Sequence, residues 1–110
     1  LDPGRFGGPV AVPRAGTGIE PGLGSRAFLA TNCTEGAHKR GDYAAIKLLG
    51  KKLRYTTDLS SAGCGCAVSL SLVPMRQNTE SKCEDYFCSA RGAQCGSTCA
   101  EIAVQDANRY

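Results

Sequence analysis

Seven cysteines, at positions 33, 64, 66, 83, 88, 95 and 99 of a 110-residue chain, are the residues whose type and density most restrict the available chemistry. Thiols this dense either hold metal or pair as disulfides. Structural zinc sites repeat a closely spaced cysteine pair. Here only Cys95 and Cys99 have knuckle-like spacing, and the single histidine, His38, lies far away in sequence. Disulfides are therefore expected, with Cys33, Cys64, Cys66, Cys83, Cys88, Cys95 and Cys99 all candidates, and no metal or cofactor site is read. The odd count leaves one thiol free or joined to a segment or chain outside this sequence. Disulfides point to an oxidising compartment, either extracellular or an organelle lumen such as that of the thylakoid.

Other residues offer less. Asn32-Cys33-Thr34 fits the N-glycosylation pattern on a loop. His38 sits among Glu35, Lys39, Arg40 and Asp42 with no nucleophile beside it, and is read as a surface residue. Gly7-Gly8 and Gly63-Cys64-Gly65 lack the strand-to-helix setting of a phosphate loop or a nucleophile elbow. A net charge of +3, from 13 basic and 10 acidic residues, is far from a nucleic-acid footprint. Lys51-Lys52 with Arg54 reads as a solvated strand edge. No apolar run approaches the roughly 20 residues of a membrane span, and no signal-peptide pattern or initiating methionine is present, so a processed chain or a fragment is expected.

The elements that would position these groups are short. Fourteen glycines, five prolines and no long helical stripe predict a mostly β, loop-rich fold. Residues 1–23, with Gly7-Gly8-Pro9 and Pro21-Gly22-Leu23-Gly24, read as an extended Gly/Pro-rich arm ahead of a β unit over 24–110. Arg26 to Leu29 and Ile46 to Leu49 are strand candidates. Lys52 to Leu59 alternates, with Leu53, Tyr55 and Thr57 on one face. Val68 to Val73 alternates again and stops at Pro74, and these two strands are expected to pair antiparallel. Residues 76–99 read as a disulfide-pinned loop, and Ala100 to Val104 returns to strand composition.

Several blocks, in order, resemble the family 7 glycoside hydrolases, the cellobiohydrolases and endoglucanases of fungal type and their algal versions. Gly24-Ser25-Arg26 with Leu29 is similar to the family's Gly-Ser-Arg strand. Ile46-Lys47-Leu48-Leu49 and the alternating run after it resemble the following segment. Cys64-Gly65 with Leu70 to Met75 looks like its next strand, and Tyr86-Phe87-Cys88 resembles its Tyr-Cys-Asp loop. Cys99-Ala100-Glu101-Ile102-Ala103-Val104-Gln105-Asp106-Ala107-Asn108 is similar to the catalytic signature, and the match spans Gly24 to Tyr110.

The resemblance implies a partial antiparallel β-sandwich of jelly-roll type and a damaged active strand. A retaining glycosidase needs a nucleophilic carboxylate and a carboxylic acid about 5–5.5 Å apart. An acid between them orients the nucleophile and helps set the protonation of the pair. The family pattern supplies a Glu, an Asp two residues later and a Glu five residues after the first. Glu101 stands at the nucleophile position, Ala103 replaces the orienting Asp, and Asp106 replaces the acid/base Glu. Asp106 is one methylene short, and a displacement near ~1 Å can cost about 100-fold in rate. The family's catalytic domain is several times longer, and its sugar-stacking tryptophans have no counterpart in a chain without tryptophan. Tyr55 and Tyr86 are read as packing residues rather than sugar platforms.

The first expectation is thus a truncated, catalytically degenerate structural or accessory subunit that docks on other protein subunits of a larger assembly, for example at the lumenal face of a photosynthetic membrane complex. Half a sandwich leaves strand edges and an apolar face to be covered. The alternative is a retaining β-1,4-glucan hydrolase or glucan-binding protein, complete or as a fragment of a longer enzyme.

Overall fold

The computed structural model describes residues 8, 10–34, 37, 39–79, 85–92 and 97–110. Cys83, Cys95, His38 and Glu35 lie outside the described residues, as does most of the first part of the arm. The elements are β1 (Val10–Ala11), β2 (Glu20–Pro21), a 3-10 turn (Arg40–Asp42), β3 (Ala67–Leu72), β4 (Cys88–Ser89), β5 (Ser97–Thr98) and β6 (Ile102–Asn108). The fold is mostly β, as expected. The partial sandwich expected from the sequence reduces, among the described residues, to three two-stranded ladders: antiparallel β1–β2, antiparallel β3–β6 and parallel β4–β5.

The principal ladder is β3–β6. Both strands alternate apolar with small or polar residues, the period of a ladder with one polar and one apolar face. The expected pairing of β3 with the Leu53 run is not formed, and β6 takes that place. Residues 51–59 keep extended composition without a ladder, and Leu53 and Tyr55 stay exposed. Side chains tether this run beside β6 instead. Thr57 Oγ1 donates to Gln105 Oε1 at 2.8 Å, and Arg109 Nη1 donates to the Ser60 carbonyl at 2.8 Å. Alternation marks a segment as ready for one buried face. Among the described residues no second sheet lies over it, and without one that readiness does not become a strand.

The N-terminal arm turns back on itself through β1 and β2, with Val10 opposite Pro21 and Ala11 opposite Glu20. Gly8 lies so close to the chain that a Cβ there would meet the Leu23 carbonyl oxygen and the Ser25 nitrogen, so only glycine fits this approach. Neither Arg26–Leu29 nor Ile46–Leu49 forms a ladder, although an isolated bridge joins Ala30 to Tyr43.

The buried apolar residues among those described are Tyr43, Met75 and Cys88. Around them a polar-aromatic cluster takes the place of an aliphatic core. Arg26 Nη2 reaches Asp85 Oδ2 at 2.6 Å, and its guanidinium lies 3.9 Å from the Phe87 ring centroid and 5.4 Å from that of Phe28. Phe28 meets Tyr43 edge-on at 5.6 Å and Phe87 at 6.0 Å. The Tyr43 hydroxyl donates to the Asp85 carbonyl, and the Phe87 N–H donates to Asp85 Oδ1 at 3.1 Å. Asn78 joins three segments to this cluster: Nδ2 donates to the Tyr86 carbonyl, Oδ1 accepts from Ser97 Oγ, and its backbone carbonyl accepts from Arg40. Tyr86 sits in the left-handed region at φ +57, a cost its neighbours must hold in place. The Cys88–Cys99 disulfide then joins this cluster to the start of β6. The disulfide set is narrower than expected, because Cys33, Cys64 and Cys66 are free thiols.

Burial first, then the negative charge of Asp85, pushes the Tyr43 phenol up to about 12. Its O–H therefore remains a donor well into alkaline solution. A folded value raised above the unfolded one contributes stability that is complete below the unfolded pKa and is lost as pH rises through the folded one. A phenolate absorbance step near pH 12 that Tyr43→Phe removes is the expected result. Arg26→Met leaves Asp85 without its guanidinium and is expected to lower stability by about 2–3 kcal/mol, read as a fall in the urea midpoint at constant m.

Candidate functional site

The β3–β6 register brings together the residues singled out from the catalytic signature. Ser69 stands opposite Asp106 and Leu70 opposite Gln105, but Ser71 stands opposite Ala103, so the register slips between Leu70 and Ser71. Val104 is the extra residue of a β-bulge in β6. The slip matters for geometry. In a regular strand Glu101 and Ala103 share a face while Asp106, five residues from Glu101, points to the other. One inserted residue restores the parity. Ser69 and Ser71 lie on one face of β3, so their partners Asp106 and Ala103 share a face of β6, and Glu101 follows two residues before Ala103.

Side-chain contacts agree with that placement. Ser69 Oγ donates to Asp106 Oδ1 at 2.5 Å. The Ala90 N–H donates to Glu101 Oε2 at 3.0 Å. That backbone hydrogen bond, followed by one from the Ser71 hydroxyl, holds the Glu101 carboxyl below the ordinary glutamate range, with a smaller contribution from Arg91. Slight desolvation and the charge of Asp106 act in the opposite direction.

Position 103 carries only a methyl group between them, so the bulged face has two carboxylates, two serine hydroxyls and no third acid. Glu101 is also engaged structurally. The Cys99 N–H donates to the Ser89 carbonyl at 3.0 Å, the Cys88–Cys99 bond spans 5.6 Å between Cα atoms, and Glu101 accepts from Ala90. Three successive links therefore fasten the 88–90 turn to the entry of β6. An ionised Glu101 retains nucleophile character, but one oxygen is committed to this clasp.

The face is open. A cleft of about 250 Å³ lies beside Pro74, Asn78 and Ser97, and another of about 210 Å³ beside Phe28, Asn32 and Lys39; neither takes in Glu101 or Asp106. Asn32 is exposed at the mouth of the second, next to the exposed thiol of Cys33. Among the described residues, no group of three or more His, Cys, Asp and Glu side chains is placed to hold a metal ion. Tyr55 is half-exposed rather than packed, whereas Tyr43, which the sequence did not single out, is buried. Sequence reasoning also passed over Ser69, Ser71 and Ala90. Ser69 and Ser71 had a readable signal, since they are the polar members of the alternation that faces β6.

No family model, curated protein or solved structure matches this chain.

A carboxyl whose folded pKa is depressed contributes stability that is present above its unfolded value and lost as pH falls through the folded one. The Ala90 amide is thus expected to stay protected from hydrogen exchange at neutral pH and to lose protection in acid as Glu101 protonates. Carbon-detected NMR titration should place the Glu101 midpoint below the ordinary glutamate range. Ser71→Ala should move it up, and Glu101→Ala should expose the Ala90 amide at neutral pH.

Proposed function

We propose that this chain is a non-catalytic structural or accessory subunit on a cellulase-like scaffold, which docks through its β3–β6 ladder on other protein subunits of a larger assembly. The carrying observation is the exposure of apolar groups along a ladder only two strands wide. Leu70, Val104 and Ile102 are 36%, 37% and 65% exposed. Both ladder edges and an apolar face are of the kind that proteins cover with a partner. The disulfide favours an oxidising site of action, extracellular or in an organelle lumen, with the lumenal face of a photosynthetic membrane complex as one such setting. No described helix is long and apolar enough to cross a membrane.

The bulge that gathers Glu101, Ala103 and Asp106 on one face favours a second reading, a residual retaining β-1,4-glucan hydrolase or glucan binder. The loss of the central acid and the clasp on Glu101 both count against turnover.

The two readings separate in one set of measurements. The accessory reading expects no hydrolysis of soluble β-1,4-glucan, co-migration of the native chain with a larger assembly, and loss of that co-migration in Ile102→Lys with the circular dichroism spectrum retained. Turnover that disappears in Glu101→Gln would establish the glycosidase reading instead.

A further inference from the structure

The thiols left outside the disulfide framework include a closely spaced pair. Cys64 and Cys66 flank Gly65 in a tight turn that leads directly into β3. The turn is closed by the Cys66 N–H donating to the Gly63 carbonyl at 3.2 Å. Its third residue, Gly65, has φ +78, which glycine adopts without strain and which a type II turn requires at that place. Cys64 is exposed and Cys66 half-buried, and a Cβ on Gly63 would lie 4.0 Å from the Cys66 sulfur, so the second thiol folds back over the turn. Neither thiol is bonded, although the same chain holds Cys88–Cys99 as a disulfide.

We propose that the Cys64-Gly65-Cys66 turn is a dithiol–disulfide exchange site whose substrate is the disulfide of a low-molecular-weight thiol. A structural disulfide gains most when it closes a long loop. A bond between residues separated by one glycine closes almost none, so it constrains the unfolded chain little and its small ring carries strain. Such bonds have the more oxidising potentials and are the labile ones. The fold gives up little when the bond opens, and the exposed sulfur gives the exchange partner access.

The exchange balances without any further reactant. One cysteine thiolate attacks the disulfide RS–SR, forming a mixed disulfide and releasing RS⁻. The other thiolate attacks the protein sulfur of that mixed disulfide, forming the Cys64–Cys66 bond and releasing the second RS⁻. The protein dithiol is oxidised by two electrons, RS–SR is reduced to two thiols, and the two thiol protons pass to the released thiolates.

This site goes beyond the accessory reading and does not depend on it. The test uses the full chain equilibrated in glutathione buffers of graded redox ratio, acid-quenched, alkylated, digested with trypsin and analysed by mass. Cleavage after Arg54 and Arg76 yields a peptide of residues 55–76 that contains Cys64 and Cys66 and no other cysteine. The expected result is a 55–76 peptide that interconverts between doubly alkylated and internally bonded forms at ratios where Cys88–Cys99 stays oxidised. Cys64→Ser and Cys66→Ser should each accumulate a glutathione adduct in the same buffers, which separates exchange from simple oxidation. A 55–76 peptide that stays doubly alkylated throughout, or one found bonded to a peptide carrying another cysteine, would overturn the proposal.

Discussion

The contact between Arg26 and Asp85 organises the rest of the molecule. With so few buried aliphatic side chains among the described residues, area alone does not hold this part of the fold, and a guanidinium laid on the Phe87 ring takes the central position. Stacking on an aromatic face contributes about 0.5–2 kcal/mol depending on desolvation, and a charge-assisted hydrogen bond about 1.5–3 kcal/mol. The geometry counts for as much as the sum. Asp85 receives Arg26 on one carboxylate oxygen and the Phe87 N–H on the other, while its carbonyl receives Tyr43. One residue thereby joins the segment after the arm, the bridge residue Tyr43 and the turn that carries Cys88. Through Cys88–Cys99 the same turn fixes the entry of β6, and β6 in turn selects β3.

This order of dependence explains which parts of the fold could be read from the sequence. β3 was legible because Val68, Leu70 and Leu72 alternate with serines and Pro74 ends the run. β6 was legible in type but not in length, since Gln105 to Asn108 look polar until they lie opposite Ala67 to Leu70. Lys52 to Leu59 carries an equally good alternation and forms no ladder, because periodicity states which face a segment offers and not whether another surface receives it. The Arg26 cluster was not legible at all. Its ion pair spans 59 residues of sequence, and no local pattern distinguishes Arg26 or Asp85 from a solvated charge. The cysteines were legible as a disulfide signal, but their state was not, since bonding depends on Cα separations that only the folded chain sets.

The bulge at Val104 was implicit in the sequence without being read from it. Acidic positions at zero, two and five along a strand cannot share a face under strict alternation, so a signature of that spacing requires one extra residue between its second and third members. The register slip falls in that interval. In this chain the slip sets Asp106 on the same face as Ala103, and position 103 offers that face only a methyl group.

Glu101 bears on function through what holds it. A nucleophilic carboxylate must be ionised and free to approach carbon, whereas a clasp needs it ionised and held. The Ala90 and Ser71 hydrogen bonds that depress its pKa favour the charged form in either case. They differ from a catalytic arrangement in what they fasten. The Ala90 donor belongs to the turn that Cys88–Cys99 and the Cys99–Ser89 hydrogen bond already anchor to β6, so releasing Glu101 would loosen the junction through which the Arg26 cluster reaches β6. In a chain with a large core that cost would be minor. Here, among the described residues, much of the order runs through this one junction, and the Glu101 carboxylate is one of its three links.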